Sequence, residues 1–280
     1  MNTNQRRNAS LPIKRNLALI YTLSLIIAIL MAAASVTGLL YRAVIYSTDN
    51  LLQSFASNDV VNLFIGLPIL LGSMWLAQRG KLIGLLFWPG ALFFVLRNYI
   101  VYVFAISHNV AFLLHLTLVT LSVYTIIGLI ASIDGKAVQQ RLIGSVSERV
   151  AGGVLTGLGL LFFLMAISTI INVLVSQTPT TETELAHHVA DFLIAPSWGI
   201  GGVLLWQRKE LGYVTGLGLL FQGSMLFIGL IIFFLLQPFL TNDSFVLSSV
   251  VVVFVLGLIC FIPLALFVRG VISSRSSSLV

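Results

Sequence analysis

Charged residues are scarce in this sequence, because Asp, Glu, Lys and Arg together make up only 9% of its 280 residues. Soluble domains carry about 25% charged residues, so a water-soluble fold is excluded. Cysteine is scarcer still: the single residue Cys260 excludes an internal disulfide, a CxxC redox pair and a cysteine cluster for a metal. The connections between apolar runs are short, so no separate soluble domain is expected.

Sequence signatures of membrane enzymes are also missing. There is no His-Glu-x-x-His motif of a zinc protease and no pair of aspartates in the middle of an apolar run. Gly223-Ser224 is not followed by the glycine that a rhomboid-type serine motif needs. A glycine-rich phosphate loop ending in Lys-Ser or Lys-Thr is absent as well. The sequence therefore leans against an enzyme without deciding the question.

Long apolar runs fill most of the chain, which is 58% hydrophobic and has a mean hydropathy of +1.06. A run of about 20 apolar residues can cross the hydrocarbon core of a bilayer as a helix. The runs predict eight spans, at 17–41, 59–77, 82–106, 109–132, 150–175, 186–206, 211–236 and 245–268. The predicted fold class is therefore an all-α polytopic membrane protein with eight transmembrane helices.

The positive charges alternate with these spans. Of the 15 Lys and Arg residues, only Arg42 and Arg97 lie outside the two tails and the connections that follow the second, fourth and sixth spans. The positive-inside rule then predicts that both termini are cytoplasmic, and the expected location is a plasma membrane. A seven-span arrangement would break this alternation. The net charge of +6 reports this orientation first, so nucleic-acid binding is not expected.

A short motif occurs twice, about 128 residues apart. Each copy has a helix proline, an aromatic residue, a Gln-Arg turn and a glycine that opens the next helix; the copies are Pro68 with Trp75–Gly84, and Pro196 with Leu204–Gly212. The offset predicts two parallel four-helix repeats, related by an axis along the membrane normal. The predicted divisions are a cytoplasmic tail 1–16, a first repeat 17–132, a cytoplasmic linker 133–149, a second repeat 150–268 and a cytoplasmic tail 269–280.

The repeated block resembles a broad group of uncharacterised prokaryotic multi-pass membrane proteins. The resemblance covers mainly 187–235 and more faintly 59–105. It implies a duplicated four-helix unit in a membrane, and no particular activity follows from it.

Arg97 is the one charge deep inside an apolar run. An arginine near mid-membrane costs about 2.5–3.5 kcal/mol, so a polar partner is expected. Counted at 1.5 Å per residue from the cytoplasmic ends, Arg97, Asn62, His115 and Asp191 lie at one level, roughly 22–26 Å up. Asp191 is the expected ion-pair partner, and Asp59, one turn above Asn62, is the second choice. The predicted ligand-binding residues are Arg97, Asp191, Asn62, His115, Asp59 and Asn98.

Two hypotheses of different kinds explain this polar layer. In the first, the chain binds or transports a small anionic or amphiphilic ligand through an outward-facing pocket in which Arg97 is the charge anchor. In the second, the chain is a non-catalytic membrane scaffold or partner subunit in which Arg97 and Asp191 form a structural ion pair. A membrane metal or redox protein is a third alternative.

The metal alternative depends on Glu184, His188 and Asp191, which share one helix face at positions i, i+4 and i+7. Such a run is more often the wetted first turns of a helix, so no metal site is predicted. His108 and His115 lie two turns apart, but no haem pairing is seen and no cofactor is expected. The expected partners are the lipid bilayer and a small anionic ligand, and homo-oligomer formation is left open.

Overall fold

The computed structural model describes residues 11–106, 111–176, 180–240 and 245–274. Eight long helices make up the fold: α1 Ala18–Leu40, α2 Asp49–Gln78, α3 Leu82–Ala105, α4 Ala111–Ser132, α5 Glu148–Ser176, α6 Glu182–Trp206, α7 Glu210–Leu240 and α8 Leu247–Ser273. Two short helices, Arg42–Ile45 and Gly135–Leu142, lie in connections. All eight long helices are long and apolar enough to cross a membrane, which confirms the predicted fold class.

Two helices begin well before their predicted spans. Helix α2 begins at Asp49 rather than at 59, and the side chain of Thr48 accepts a hydrogen bond from Leu51 N at 3.2 Å. Helix α6 begins at Glu182 rather than at 186, with Thr181 in the same capping role. The length of an apolar run predicts only the part of a helix that lies in the membrane. The polar first turns of α2 and α6 lie before that part and are stabilised by these N-cap side chains. The sequence also predicts that helix α6 begins in water before its membrane span, with Thr178 as the N-cap and Pro179 in the first turn, and these two residues lie outside the described ones.

Helix α2 is interrupted by a π-helical turn at Asn62–Gly66, just before Pro68. A π turn bonds i to i+5 and so holds one residue more than an α turn. Asn62 precedes Pro68 by six residues, whereas Asp191 precedes Pro196 by five in a continuous α-helix. The π turn therefore accommodates the one residue by which the two copies of the motif differ.

The turns from α2 to α3 and from α6 to α7 have the same hydrogen bonds. In each, one residue has a left-handed backbone: Gly80 with φ 72° and Arg208 with φ 57°. The N–H of this residue donates to the carbonyl three residues earlier. The N–H of the next residue, Lys81 or Lys209, donates to the carbonyl five residues earlier, and all four distances are 2.8–3.0 Å. Both turns are therefore Schellman motifs, and corresponding residues are 128 positions apart.

Helix α3 lies at the centre of the bundle, and 18 of its 24 residues are buried. It packs against α2, α4, α6 and α7. Helices α3 and α7 cross at Gly90 and Gly218, where a Cβ built on Gly218 would lie only 2.7 Å from Gly90 N. These two glycines are also 128 positions apart, the same offset that separates the two turns.

Candidate functional site

The buried arginine of α3 is paired with the aspartate of α6. Arg97 donates from Nε at 3.1 Å and from Nη2 at 2.8 Å, and both bonds end on Asp191 Oδ1. Each side chain is only 8% exposed. The pairing predicted from equal depth is therefore present. Because both charges are buried, the loss of either partner would leave the other uncompensated.

A pocket of about 330 Å³ lies beside this ion pair, between α2, α3, α6 and α7, with one residue of α5. Its buried floor includes Arg97, Asn98, Asp191 and Gln222. Its rim is half-buried or exposed and includes Ser54, Asn58, His187, Phe227 and Leu230. Ser54 and His187 belong to early turns of α2 and α6, so the rim lies toward the membrane side opposite the two chain ends.

The two sides of the pocket differ in chemistry. Apart from the amide of Gln222 on α7, the hydroxyl, amide, imidazole and charged groups come from α2, α3 and α6, which also contribute Val61 and Phe94. Helices α5 and α7 contribute an apolar wall, made of Phe162, Met225, Leu226, Phe227, Leu230 and Phe233. These six residues were not predicted as site residues, because apolar side chains in a membrane span give no signal that separates a pocket wall from a lipid-facing surface.

Gln222 is the most unusual polar group of the floor. It is fully buried on α7, and neither Nε2 nor Oε1 has a hydrogen-bond partner among the described residues. An amide in a membrane span commonly forms a helix–helix hydrogen bond, and the described residues provide none for Gln222. A buried unsatisfied polar group costs about 1–3 kcal/mol. Since Gln222 borders the pocket, a bound molecule could satisfy both of its amide atoms.

Asp59 lies outside the pocket, in a cage of tyrosines. Tyr46 and Tyr102 donate to its carboxylate at 2.5 and 2.8 Å, and no described residue forms an ion pair with it. Tyr46 lies in the connection between α1 and α2, where burial, followed by the adjacent Asp59, raises the pKa of its phenol. Tyr46 therefore stays protonated and acts as a hydrogen-bond donor.

Two asparagines connect this cage to the pocket wall. Asn98 Nδ2 donates to Asn62 Oδ1 at 2.8 Å, and Asn62 Nδ2 donates to Ser35 Oγ at 3.3 Å. His115 lies further behind, against the rings of Tyr99 and Tyr102, at centroid distances of 5.5 and 4.9 Å. Its Nδ1 has no hydrogen-bond partner in the described part of the chain.

The structure divides the predicted polar layer into two groups. Asp191, Asn98 and Arg97 line the pocket, whereas Asp59, Asn62 and His115 are buried behind its wall. Depth counting gives the height of a residue on its helix. It does not give the direction in which the side chain points around that helix, and this direction separates the two groups.

The weak metal candidates do not come together. Glu184 is exposed, His188 is half-buried, and Asp191 is held by Arg97. Over the described ranges, no group of three or more His, Cys, Asp or Glu residues could hold a metal ion. His108, considered with His115 for haem, lies outside the described residues.

The fold and the pocket together define a multi-pass helical membrane protein with eight spanning helices and a buried ion pair beside a central cavity. Comparisons of the chain with protein-family models, curated proteins and solved structures found no match.

Proposed function

We propose that this protein binds a small amphiphilic ligand carrying an anionic group in the central pocket and carries it across the membrane. The observation that supports this proposal is that the Arg97–Asp191 pair borders a cavity of about 330 Å³ instead of being sealed by packing. Ionisable groups inside a membrane mark ligand pathways more often than not. A concave, largely apolar site with a few convergent polar groups is the usual form of a ligand pocket.

Transport, as opposed to binding alone, is supported by the relation between the two halves of the chain. We infer that 17–132 and 150–268 are repeats, because the same 128-residue offset relates the two turns, the two prolines and the touching pair Gly90 and Gly218. In transporters built from repeats, the substrate site lies at the interface between the repeats. The pocket lies at that interface, between α2 and α3 of one half and α6 and α7 of the other.

Two apolar grooves give the repeat proposal independent support. One, of about 480 Å³, lies between α3, α4, α6 and α7; the other, of about 590 Å³, lies between α7, α8, α2 and α3. Six pairs of lining positions correspond at the same offset: Ile69 and Ser197, Gly72 and Ile200, Ser73 and Gly201, Leu76 and Leu204, Phe87 and Thr215, Phe93 and Phe221. The correspondence covers the sides that α2, α3, α6 and α7 contribute to the two grooves, and it does not extend to the residues that line them on α4 and α8.

The proposed orientation follows from the distribution of positive charge. Both termini are cytoplasmic and the membrane is the plasma membrane, so the rim of the pocket faces outward. The pocket is then accessible to a ligand outside the cell, with the crossing of α3 and α7 below it.

The test is ligand-dependent stabilisation of the purified, full-length protein. A panel of small organic anions and amphiphiles is screened for a rise in unfolding temperature, because a ligand at about 100 times its Kd stabilises by about 2.7 kcal/mol. The matched variant is Gln222→Met, which keeps the size of the side chain and removes the amide. We expect a ligand that stabilises the wild type and stabilises the variant much less.

A scaffold or partner subunit is the second candidate, favoured by the fact that Arg97 already has a carboxylate partner. It predicts that no member of the panel stabilises the protein. It also predicts that a variant with the ion pair replaced by apolar residues keeps its fold and its associations.

A further inference from the structure

We infer that the ligand of the proposed function is a zwitterion with an apolar body, of the class of apolar α-amino acids. This inference rests on the proposed function and adds a second, positive charge to the anionic group already assigned. It follows from the charge balance of the pocket, the unused hydrogen-bonding atoms of the ion pair, and the apolar wall opposite.

The charges of the described pocket residues balance. Arg97 and Asp191 are its only formally charged side chains, and His187 on the rim is its one other titratable group. A ligand with a single negative charge would leave this buried space with a net negative charge, which is costly where water is excluded. A zwitterion adds one charge of each sign, so that each can be placed against its opposite.

The ion pair leaves atoms of both kinds unused. The guanidinium group has five N–H donors, and its two observed bonds, from Nε and Nη2, both end on Asp191 Oδ1. In the described part of the chain, Arg97 Nη1 donates to no residue and Asp191 Oδ2 accepts from none. The edge formed by Nη1 and Nη2 matches a carboxylate, which arginine binds through two parallel hydrogen bonds. Asp191 Oδ2 matches an ammonium group.

The separation of the two ligand groups is set by this geometry. The donor edge belongs to Arg97 and the acceptor oxygen to Asp191, and these two side chains are in direct contact. The carboxylate and the ammonium group of the ligand must therefore be close together, as they are on the α-carbon of an amino acid. The unpartnered amide of Gln222 supplies a further donor and a further acceptor at the floor. These are the groups needed to satisfy the remaining lone pair of a carboxylate and the remaining proton of an ammonium.

The opposite wall determines the rest of the ligand. Phe162, Phe227 and Phe233 face the polar side across the cavity, and Leu230, 46% exposed, continues this wall to the rim. A purely polar ligand would leave the wall in contact with water, whereas an apolar side chain would bury it. The volume of about 330 Å³ is at the small end of ligand pockets. It suits a ligand of amino-acid size.

The experiment compares three ligands that share one apolar body and differ only in charge. L-phenylalanine is the zwitterion, 3-phenylpropionate lacks the ammonium group, and 2-phenylethylamine lacks the carboxylate. Glycine serves as the zwitterion without an apolar body, and leucine, methionine and tryptophan extend the panel. Affinity is measured on the full chain in lipid nanodiscs, by calorimetry and by the rise in unfolding temperature. We expect at least one apolar amino acid to bind at least tenfold more tightly than glycine and than its own singly charged analogues.

The possible results separate this inference from the proposed function. If 3-phenylpropionate binds as tightly as L-phenylalanine, the inference is overturned and the anionic-ligand proposal stands. If no amino acid binds but another organic anion does, the conclusion is the same. If neither group of compounds binds, both proposals fail. A preference for the amine overturns the inference and the role of Arg97 as anchor.

Variants give a second measurement on the same ligands. Asp191→Asn removes the partner of the ammonium group, so the ratio of phenylalanine to phenylpropionate affinity should fall at least tenfold. Gln222→Met should weaken both ligands and leave that ratio nearer to the wild-type value. Thr117→Ala, on the exposed face of α4, should change neither. If Asp191→Asn does not fold, the ligand series on the wild type still decides the question.

Discussion

At the scale of single residues, one carboxylate compensates the charge of Arg97 inside the bundle. Arg97→Ala leaves Asp191 buried without a counter-charge, and such a change costs about 3–5 kcal/mol. The double variant Arg97→Met with Asp191→Leu removes both charges, and we expect it to be as stable as the wild type or more stable. Chemical unfolding of the purified protein measures both. A single variant within about 1 kcal/mol of the wild type would show that the pair is not held in a dry environment.

The tyrosines that surround Asp59 are a second group of residues whose contribution to stability can be measured. Tyr46→Phe removes one of two hydrogen bonds to a buried carboxylate, and hydrogen bonds to charged groups contribute about 1.5–3 kcal/mol. We expect a loss of stability of this size in thermal or chemical unfolding. Tyr41→Phe is the matched control, because Tyr41 lies in the same connection and is 61% exposed. Equal effects from both substitutions would contradict the role given to Tyr46.

How far these residues could be predicted depends on what a membrane span encodes. Depth along a helix follows from counting residues, so the pairing of Arg97 with Asp191 could be predicted. Direction around a helix follows from the contrast between apolar and polar faces, and that contrast is weak in an apolar span. For this reason depth counting could not separate Arg97, Asn98 and Asp191, which line the pocket, from Asp59, Asn62 and His115, which do not.

At the scale of helices, α3 and α7 cross with their backbones in close contact at Gly90 and Gly218. A Cβ on Gly218 would press against the backbone of Gly90, which cannot move without displacing a helix. We expect Gly218→Ala to destabilise the protein by about 1–3 kcal/mol, as overpacking does. Gly157→Ala on α5 is the control, because a Cβ there meets nothing within 4 Å.

The control should change stability in the opposite direction. Alanine favours a helix over glycine by about 0.8–1.0 kcal/mol, so Gly157→Ala should leave the protein unchanged or slightly more stable in the same unfolding assay. If both alanine substitutions were harmless, α3 and α7 could not be in direct backbone contact. The π turn of α2 was beyond prediction, because one additional residue before a proline can also be accommodated by a kink.

At the scale of the whole molecule, the eight helices and their order could be predicted, because span length and alternation of positive charge are both encoded in short stretches. The position of the pocket could not, because it depends on which faces of α2, α3, α6 and α7 meet across the two halves. The offset of 128 residues links the order of the helices in the sequence to their packing in space. Gly90 and Gly218 are separated by this offset in sequence and are in close contact where α3 and α7 cross.

The proposed orientation makes a prediction about which surfaces are accessible from outside the cell. Cys260 is buried, so replacing it with alanine gives a background without reactive thiols. Single cysteines are then introduced at Ser47, exposed in the connection between α1 and α2, and at Gln140, exposed on the short helix between α4 and α5. Three spans, α2, α3 and α4, lie between Ser47 and Gln140, so these two positions lie on opposite sides of the membrane.

A membrane-impermeant maleimide should label Ser47→Cys in intact cells and should label Gln140→Cys only after the cells are opened. The physical reason is that Lys and Arg are retained on the cytoplasmic side during insertion, and Gln140 lies among them. The reverse pattern would turn the pocket toward the cytoplasm and would make the proposed ligand a substrate for export. Labelling of both positions from outside would contradict the eight-span topology itself, because an odd number of spans between Ser47 and Gln140 must place them on opposite sides of the membrane.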